Sequence, residues 1–346
     1  MTVKGVHRGM KHSLLLSMLL ASVVLVGAAC APTSTSAPTA ATKPLREVRI
    51  GMAFIPNVQF APFYVADDKG YFAAEGIKPV YDYGFEQDVV ALTAQDQLTF
   101  TNAGGTTTII ARSHDVPVQY FIKEYQTLPV AVFGLKDKGV TKLQDLKGKT
   151  VGQAMPAGET YVGFAVMMKK AGLKDTDLNL TTVGFTQVES VLANKVDAAV
   201  GYSVNEPQQL RAQGKDVFEI DMKDVAPEVA GDGIIASETT LRDKPELAKA
   251  FARAFLKGLA DTVQDPEAAF TTTLKFVPDA GKDETVKRAQ HDVLLKVVND
   301  YWKTTGKLGQ SDLKLWEQTQ TVLKEAGLLD KETDMARAVT NNYLPN

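Results

Sequence analysis

The chain has 346 residues, 45% hydrophobic and 23% charged, which is enough apolar material for one large or two medium globular cores. A formal net charge of −3 supplies no cationic field and argues against nucleic acid or an acidic membrane surface as the main partner. A single cysteine, Cys30, excludes an intrachain disulfide and a multi-thiolate metal site.

At the start, Lys4, Arg8 and Lys11 precede an apolar run from Leu14 to Val26, shorter than the roughly 20 residues that cross a bilayer. Residues 1–29 therefore read as a signal peptide. Gly27-Ala28-Ala29-Cys30 resembles a bacterial lipobox, with Gly27 where leucine is usual, so Cys30 is the expected lipidated residue. Residues 30–46 read as a lipid-anchored flexible linker, because Ala31 to Lys43 are small, polar and proline-punctuated with nothing to bury.

From Val48 onward strands alternate with helices. Val48-Arg49-Ile50 alternates as a strand that has given out by Pro56. Phe60, Phe63, Tyr64, Tyr71 and Phe72 then recur at helical spacing, with stops at Gly70 and Gly76. A strand from Ile77 to Tyr81, a helix from Gln87 to Ala94, a short strand from Leu98 to Phe100, a helix from Thr107 to Arg112 and a strand from Val116 to Ile122 follow. Leu128 to Leu135 reads as a strand crossing between lobes. Beyond it come strands at Thr150 to Gln153, Leu178 to Val183 and Ala198 to Tyr202, and helices at Tyr161 to Ala171, Val188 to Asn194 and Glu206 to Gln213. After a return strand, Ile234 to Ala236, four amphipathic helices are expected: Pro245 to Val263, Glu284 to Tyr301, Ser311 to Ala326 and Lys331 to Asn341. The pattern predicts an α/β fold with largely parallel sheets.

Two motifs carry a family resemblance. The first is Phe54, Pro56, Asn57, Phe60, Tyr64, Lys69-Gly70-Tyr71-Phe72 and Glu75-Gly76-Ile77. The second is Leu135-Lys136-Asp137-Lys138-Gly139-Val140 followed by Asp145-Leu146-Lys147-Gly148-Lys149-Thr150-Val151-Gly152. Together they resemble the solute-binding proteins of ABC importers, in the branch that carries thiamine-pyrimidine precursors, alkylsulfonates and riboflavin. The resemblance runs from Val48 to about Val263. It implies a two-lobed periplasmic-binding-protein fold of type II, with 47–127 plus 237–346 as lobe one, 128–236 as lobe two, and the C-terminal helices packed on lobe one.

In open α/β sheets, ligands lie beyond the carboxyl ends of strands, beside helix N-termini. That rule selects the turns Phe54 to Phe60, Asn102 to Thr106, Met155 to Tyr161, Phe185 to Gln187 and Tyr202 to Glu206. The candidate ligand-binding residues are Phe54, Asn57, Phe60, Asn102, Gly105, Thr106, Glu159, Thr160, Tyr161, Tyr202, Asn205 and Glu206, with Tyr125 covering the pocket mouth. Asn57 and Thr160 also suit helix capping, Phe60 a core position, and Glu206 a solvated first helical turn. Aromatics, amides and hydroxyls suit a flat, mostly uncharged heterocycle, and no arginine or lysine stands at these turns for a phosphate or sulfonate. Where the thiamine-pyrimidine branch typically holds Trp and His, this chain has Phe54 and Phe60, a departure that favours a larger ring system.

Enzymatic readings find little support. Past the signal only His114 and His291 remain, with no metal-binding spacing, so neither a metal nor a cofactor is expected. Gly148-Lys149-Thr150 is similar to a phosphate loop, but Leu143 replaces its first glycine and the triplet precedes a strand. The expected function is an extracytoplasmic, lipid-anchored substrate-binding protein of an ABC transporter at the cell membrane. Its partners are a small ligand, first of all riboflavin, together with a permease and its ATPase. A thiamine-pyrimidine precursor or an alkylsulfonate is the alternative cargo, and an exported enzyme of the same fold is the alternative of another class.

Overall fold

A computed structural model describes residues 44–346; the expected signal peptide, the lipidation site Cys30 and most of the 30–46 linker lie outside the described residues. In chain order, lobe one opens with β1 (Arg46–Met52), α1 (Ala61–Asp68), α2 (Tyr71–Ala74), β2 (Ile77–Tyr83), α3 (Glu86–Ala94), β3 (Phe100–Gly104), α4 (Gly105–Ser113) and β4 (Val118–Lys123). Lobe two holds β5 (Val130–Leu135), β6 (Thr150–Gln153), α5 (Gly158–Lys170), β7 (Asn179–Thr182), α6 (Gln187–Leu192), β8 (Ala198–Tyr202), α7 (Glu206–Ala212) and β9 (Val217–Asp221). The chain then returns through β10 (Asp232–Ser237) to α8 (Glu238–Asp243), α9 (Pro245–Gln264), α10 (Pro266–Phe276), α11 (Glu284–Val297), α12 (Leu313–Glu325) and α13 (Met335–Ala338).

Each lobe is built on one five-stranded sheet, ordered β2-β1-β3-β10-β4 in the first and β7-β6-β8-β5-β9 in the second. The expectation of largely parallel sheets is corrected. β10 runs antiparallel to β3 and β4, and β5 runs antiparallel to β8 and β9. The reason is topological: the other strands end at the cleft, whereas a strand arriving from the opposite lobe starts there and runs outward. The expected lobe boundary moves for the same reason, because β10 is a full member of the first sheet and the return crossing falls just before Asp232.

The two crossing segments lie against each other. Leu128 N donates to Val229 O at 3.3 Å, and the amides of Glu124 and Tyr125 donate to Asp232 O at 3.1 and 2.9 Å. A Cβ on Gly231 would stand 2.4 Å from Thr127 O, so only glycine lets the segments approach this closely.

The C-terminal helices mainly cover lobe one. α9 carries a strongly one-sided apolar face, with Phe251, Phe255 and Leu259 buried against α1 and the first sheet. Phe251 is the centre of an aromatic cluster, with ring centroids 4.3 Å from Phe100 on β3, 5.5 Å from Phe72 on α2 and 6.1 Å from Phe255. α11 packs on α7 of lobe two as well as on the rest of the C-terminal layer. The helix expected from Lys331 to Asn341 shrinks to α13. Beyond it the chain is extended, and Thr340 N bonds Tyr120 O at 2.9 Å to continue the β4 edge. Strand β9 and helix α10 were not expected from the sequence.

Truncating the hub of the lobe-one core leaves a large void. Phe251→Ala should lower unfolding free energy by about 3–5 kcal/mol, read as a shift in urea midpoint at unchanged slope.

Candidate functional site

The carboxyl ends of β1, β2, β3, β6 and β8 all open on one cleft between the lobes, a cavity of about 780 Å³ counting its mouth. Lobe one lines it with Phe54, Gln59, Phe60, Phe85, Glu86, Asn102 and Asp232. Lobe two contributes Met155, Glu159, Thr160, Phe185, Gln187, Tyr202 and Glu206, and no lysine or arginine is among the lining residues.

Two helix N-termini at this cleft have no cap of their own. α4 starts after Gly104 and α5 after Ala157, and neither residue offers a side-chain acceptor to the first amides of its helix. Each helix is served from the opposite lobe. Glu159 of α5 reaches across to α4, where Oε1 accepts from Thr106 N and Thr107 N, both at 3.1 Å, and Oε2 accepts from the Thr106 hydroxyl at 2.6 Å. In return, Glu86 of α3 accepts from Glu159 N at 2.6 Å through Oε2 while Oε1 accepts from Gly104 N at 2.8 Å. Gly104 is required by this arrangement, since a Cβ there would lie 1.3 Å from Glu159 Oε1.

Further acids surround the pair. Tyr202 donates its hydroxyl to Asp232 Oδ2 at 2.8 Å, a second bridge between lobes. Asn102 donates to Glu124 Oε2 at 2.7 Å. Glu206 accepts from Tyr202 N at 2.9 Å and from Asn205 Nδ2 at 3.1 Å. Burial pushes all these carboxyls toward the protonated form, with Glu206 raised to about 7. Asp232 is likewise raised to about 7, by burial first and then by Glu86. Two acceptors lining the cavity, Gln59 Oε1 and Asp232 Oδ1, are buried without a partner.

Rings close the cleft from both sides. Phe185 of lobe two stands edge-on to Phe54 at 4.9 Å and stacks on Phe85 at 4.5 Å and 28°, so it sits between two loops of lobe one. The arrangement can hold a planar ring among aromatic faces and offers acceptors to its N–H groups.

Comparison with known proteins agrees with this architecture. Residues 57–269 match the family described as NMT1/THI5 like. The chain belongs to that family. A relative named riboflavin-binding protein RibY, from Chloroflexus aurantiacus, is 37% identical over 93% of this chain and 95% of its own length. A formylaminopyrimidine-binding protein of Halalkalibacterium halodurans is 28% identical over 89% of this chain and 92% of its own. A 4-amino-5-hydroxymethyl-2-methylpyrimidine phosphate synthase of Legionella pneumophila is 23% identical over 84% and 90%. Among solved structures, the alkanesulfonate-binding protein SsuA of Xanthomonas axonopodis pv. citri superposes with a TM-score of 0.67 at 12% identity, covering 87% of this chain and 99% of that one. That likeness confirms the two-lobed α/β fold.

In this NMT1/THI5-like chain, the expected contacts Phe54, Phe60, Asn102, Glu159, Thr160, Tyr202, Asn205 and Glu206 line the cleft, and so does Tyr125, which is buried against Tyr301 and Trp302. Asn57, Gly105, Thr106 and Tyr161 are not among its lining residues. Asn57 Oδ1 instead caps the turn after β1 by accepting Gln59 N at 3.0 Å. Gly105 is pressed against Ala230, Thr106 is committed to Glu159, and Tyr161 packs on the second core. Phe85, Glu86 and Gln87 escaped the sequence reading because β2 runs two residues beyond Tyr81, which carries the next turn to the cleft. Asp232 escaped because it opens an antiparallel strand, so the amino end of β10, not its carboxyl end, faces the cavity. Among the described residues no cluster could hold a metal ion, and no helix is long and apolar enough to cross a membrane.

Asp232 gives the pH dependence a sign. A carboxyl raised from 3.8 to about 7 stabilises the fold fully below pH 4, and that contribution is lost as pH rises through 7. Asp232→Asn keeps an acceptor for the Tyr202 hydroxyl and carries no charge. Its melting temperature should therefore fall less than the parent's between pH 5 and pH 8; parallel curves would refute the assignment.

Proposed function

We propose that this chain is the extracytoplasmic substrate-binding component of an ABC importer and that its cargo is riboflavin. The observation that carries the reading is the cleft itself, ringed by phenylalanines, amides and buried acids without a cation, in a chain 37% identical to a protein named for riboflavin binding. An isoalloxazine ring is flat, neutral and edged with one N–H and several acceptors. Stacking on Phe54, Phe85 or Phe185 adds about 0.5–1.5 kcal/mol beyond burial, and Gln59 Oε1 and Asp232 Oδ1 await a donor.

In this reading the protein is held at the outer face of the cell membrane through lipidated Cys30 and the 30–46 linker, and the chain catalyses nothing. The lobes swing about the paired segments 125–128 and 229–231, bury the ligand, and present the closed surface to a permease driven by its ATPase. Phe54, Phe60, Asn102, Tyr125, Glu159, Thr160, Tyr202, Asn205 and Glu206 are the proposed contacts. A second reading, a pyrimidine carrying an exocyclic amine, is favoured by those same unpartnered acceptors and by the 28% identical formylaminopyrimidine-binding relative. An alkylsulfonate is disfavoured, because no cation lines the cleft to meet it.

Titration of flavin fluorescence decides the point. Riboflavin should be quenched saturably at one site per chain, and at 100 times Kd it should stabilise the protein by about 2.7 kcal/mol. Flavin mononucleotide should bind at least about tenfold more weakly, since its phosphate would meet acids only. Quenching by neither flavin, with a thermal shift from an aminopyrimidine, would transfer the assignment to the second reading.

A further inference from the structure

The cleft does not end at the Phe54–Phe185 pair. Behind it lies a second cavity of about 640 Å³, counting its opening, which shares Phe54, Phe185, Gln187 and Glu206 with the first as a common wall. Its far side is built from α6 and α7 of lobe two and from the turn between α10 and α11 of lobe one. We propose that this cavity is a subsite for a neutral polyhydroxyl substituent carried by the ring held next door. The proposal rests on the flavin reading above and adds where the ribityl chain goes.

Its chemistry is that of an amide cage. Gln187 opens α6, Gln209 lies on α7 and Gln290 on α11, so three side-chain amides converge from three helices of the two lobes. Gln290 is only 8% exposed, and its Oε1 is buried with no partner. An acceptor left in that state costs about 1–3 kcal/mol, so the site is incomplete without a donor. A hydroxyl both donates and accepts, and a chain of hydroxyls matches amides that do the same. The charged groups facing this cavity are Glu189, Glu206 and Asp279, with neither lysine nor arginine among its lining residues, so an anionic tail is excluded. Because the walls come from both lobes, the subsite is complete only when they meet. A ligand bearing the polyol therefore draws the lobes together more strongly than the bare ring does.

The experiment compares riboflavin with lumiflavin, which has the same ring and a methyl group in place of the ribityl chain, on the parent protein and on Gln290→Leu. The parent should bind riboflavin at least about tenfold more tightly than lumiflavin, equivalent to one good hydrogen bond or more. In Gln290→Leu the preference should shrink to about threefold or less while lumiflavin affinity stays unchanged, which also shows that the variant is folded. Equal affinity for both flavins in the parent, or an undiminished preference in Gln290→Leu, overturns the subsite and leaves the ring site standing. Binding of neither flavin removes the flavin reading and the subsite with it.

Discussion

The exchange of carboxylates between helix ends holds the two lobes in register. α4 and α5 begin with amides that their own sequences leave uncapped, and Glu159 and Glu86 satisfy them from across the cleft. Gly104 exists as glycine because the Glu159 carboxylate occupies the space of its Cβ, and Thr106 turns its hydroxyl to the same group rather than to the cavity. A residue that the sequence offers as a ligand contact thus turns out to serve closure.

The same device shapes what the cleft can hold. Glu86, Glu159, Glu206 and Asp232 surround one cavity without a cation; burial pushes each toward its neutral form, and hydrogen bonds from amides and hydroxyls offset the cost. A second anion from a ligand would have to be desolvated beside them. An uncharged ring avoids that penalty, and Phe54, Phe85 and Phe185 provide the faces for it. On the proposed reading, discrimination against phosphate or sulfonate comes from the absence of a cationic partner, and preference for a heterocycle from the rings.

Much of this was legible in the chain. The alternation from Val48, the glycine stops at Gly70 and Gly76, and the helix-opening turns placed most elements within a few residues and gathered nine of the expected cleft positions in one cavity. What failed did so for topological reasons. Local periodicity cannot reveal that β5 and β10 arrive from the other lobe, and this conceals both the antiparallel pairings and the role of Asp232. The Asn102–Glu124 bond and the cross-lobe reach of Glu159 join residues separated by 22 and 53 positions, beyond any local pattern. Asn57 illustrates the opposite limit, a polar residue at the right turn whose side chain is consumed by its own backbone.

Closure must be near balance for such a protein to release what it captures. With the lobes apart, water would satisfy the amides of α4 and α5 that Glu159 and Glu86 satisfy with the lobes together. Each exchange then nets only about 0.5–1.5 kcal/mol, and desolvating the acids opposes it. Moving a two-state equilibrium from 1:99 to 99:1 takes about 5.5 kcal/mol of differential binding. At about 25 cal/mol per Å² that corresponds to roughly 220 Å² of apolar surface, less than the two faces of a tricyclic ring present. A ring held in the cavity that Phe54 and Phe85 line from one lobe and Phe185 from the other gives that energy only when both halves touch it. The carboxylate exchange then sets the geometry of the closed state, and the ligand decides whether that state is occupied.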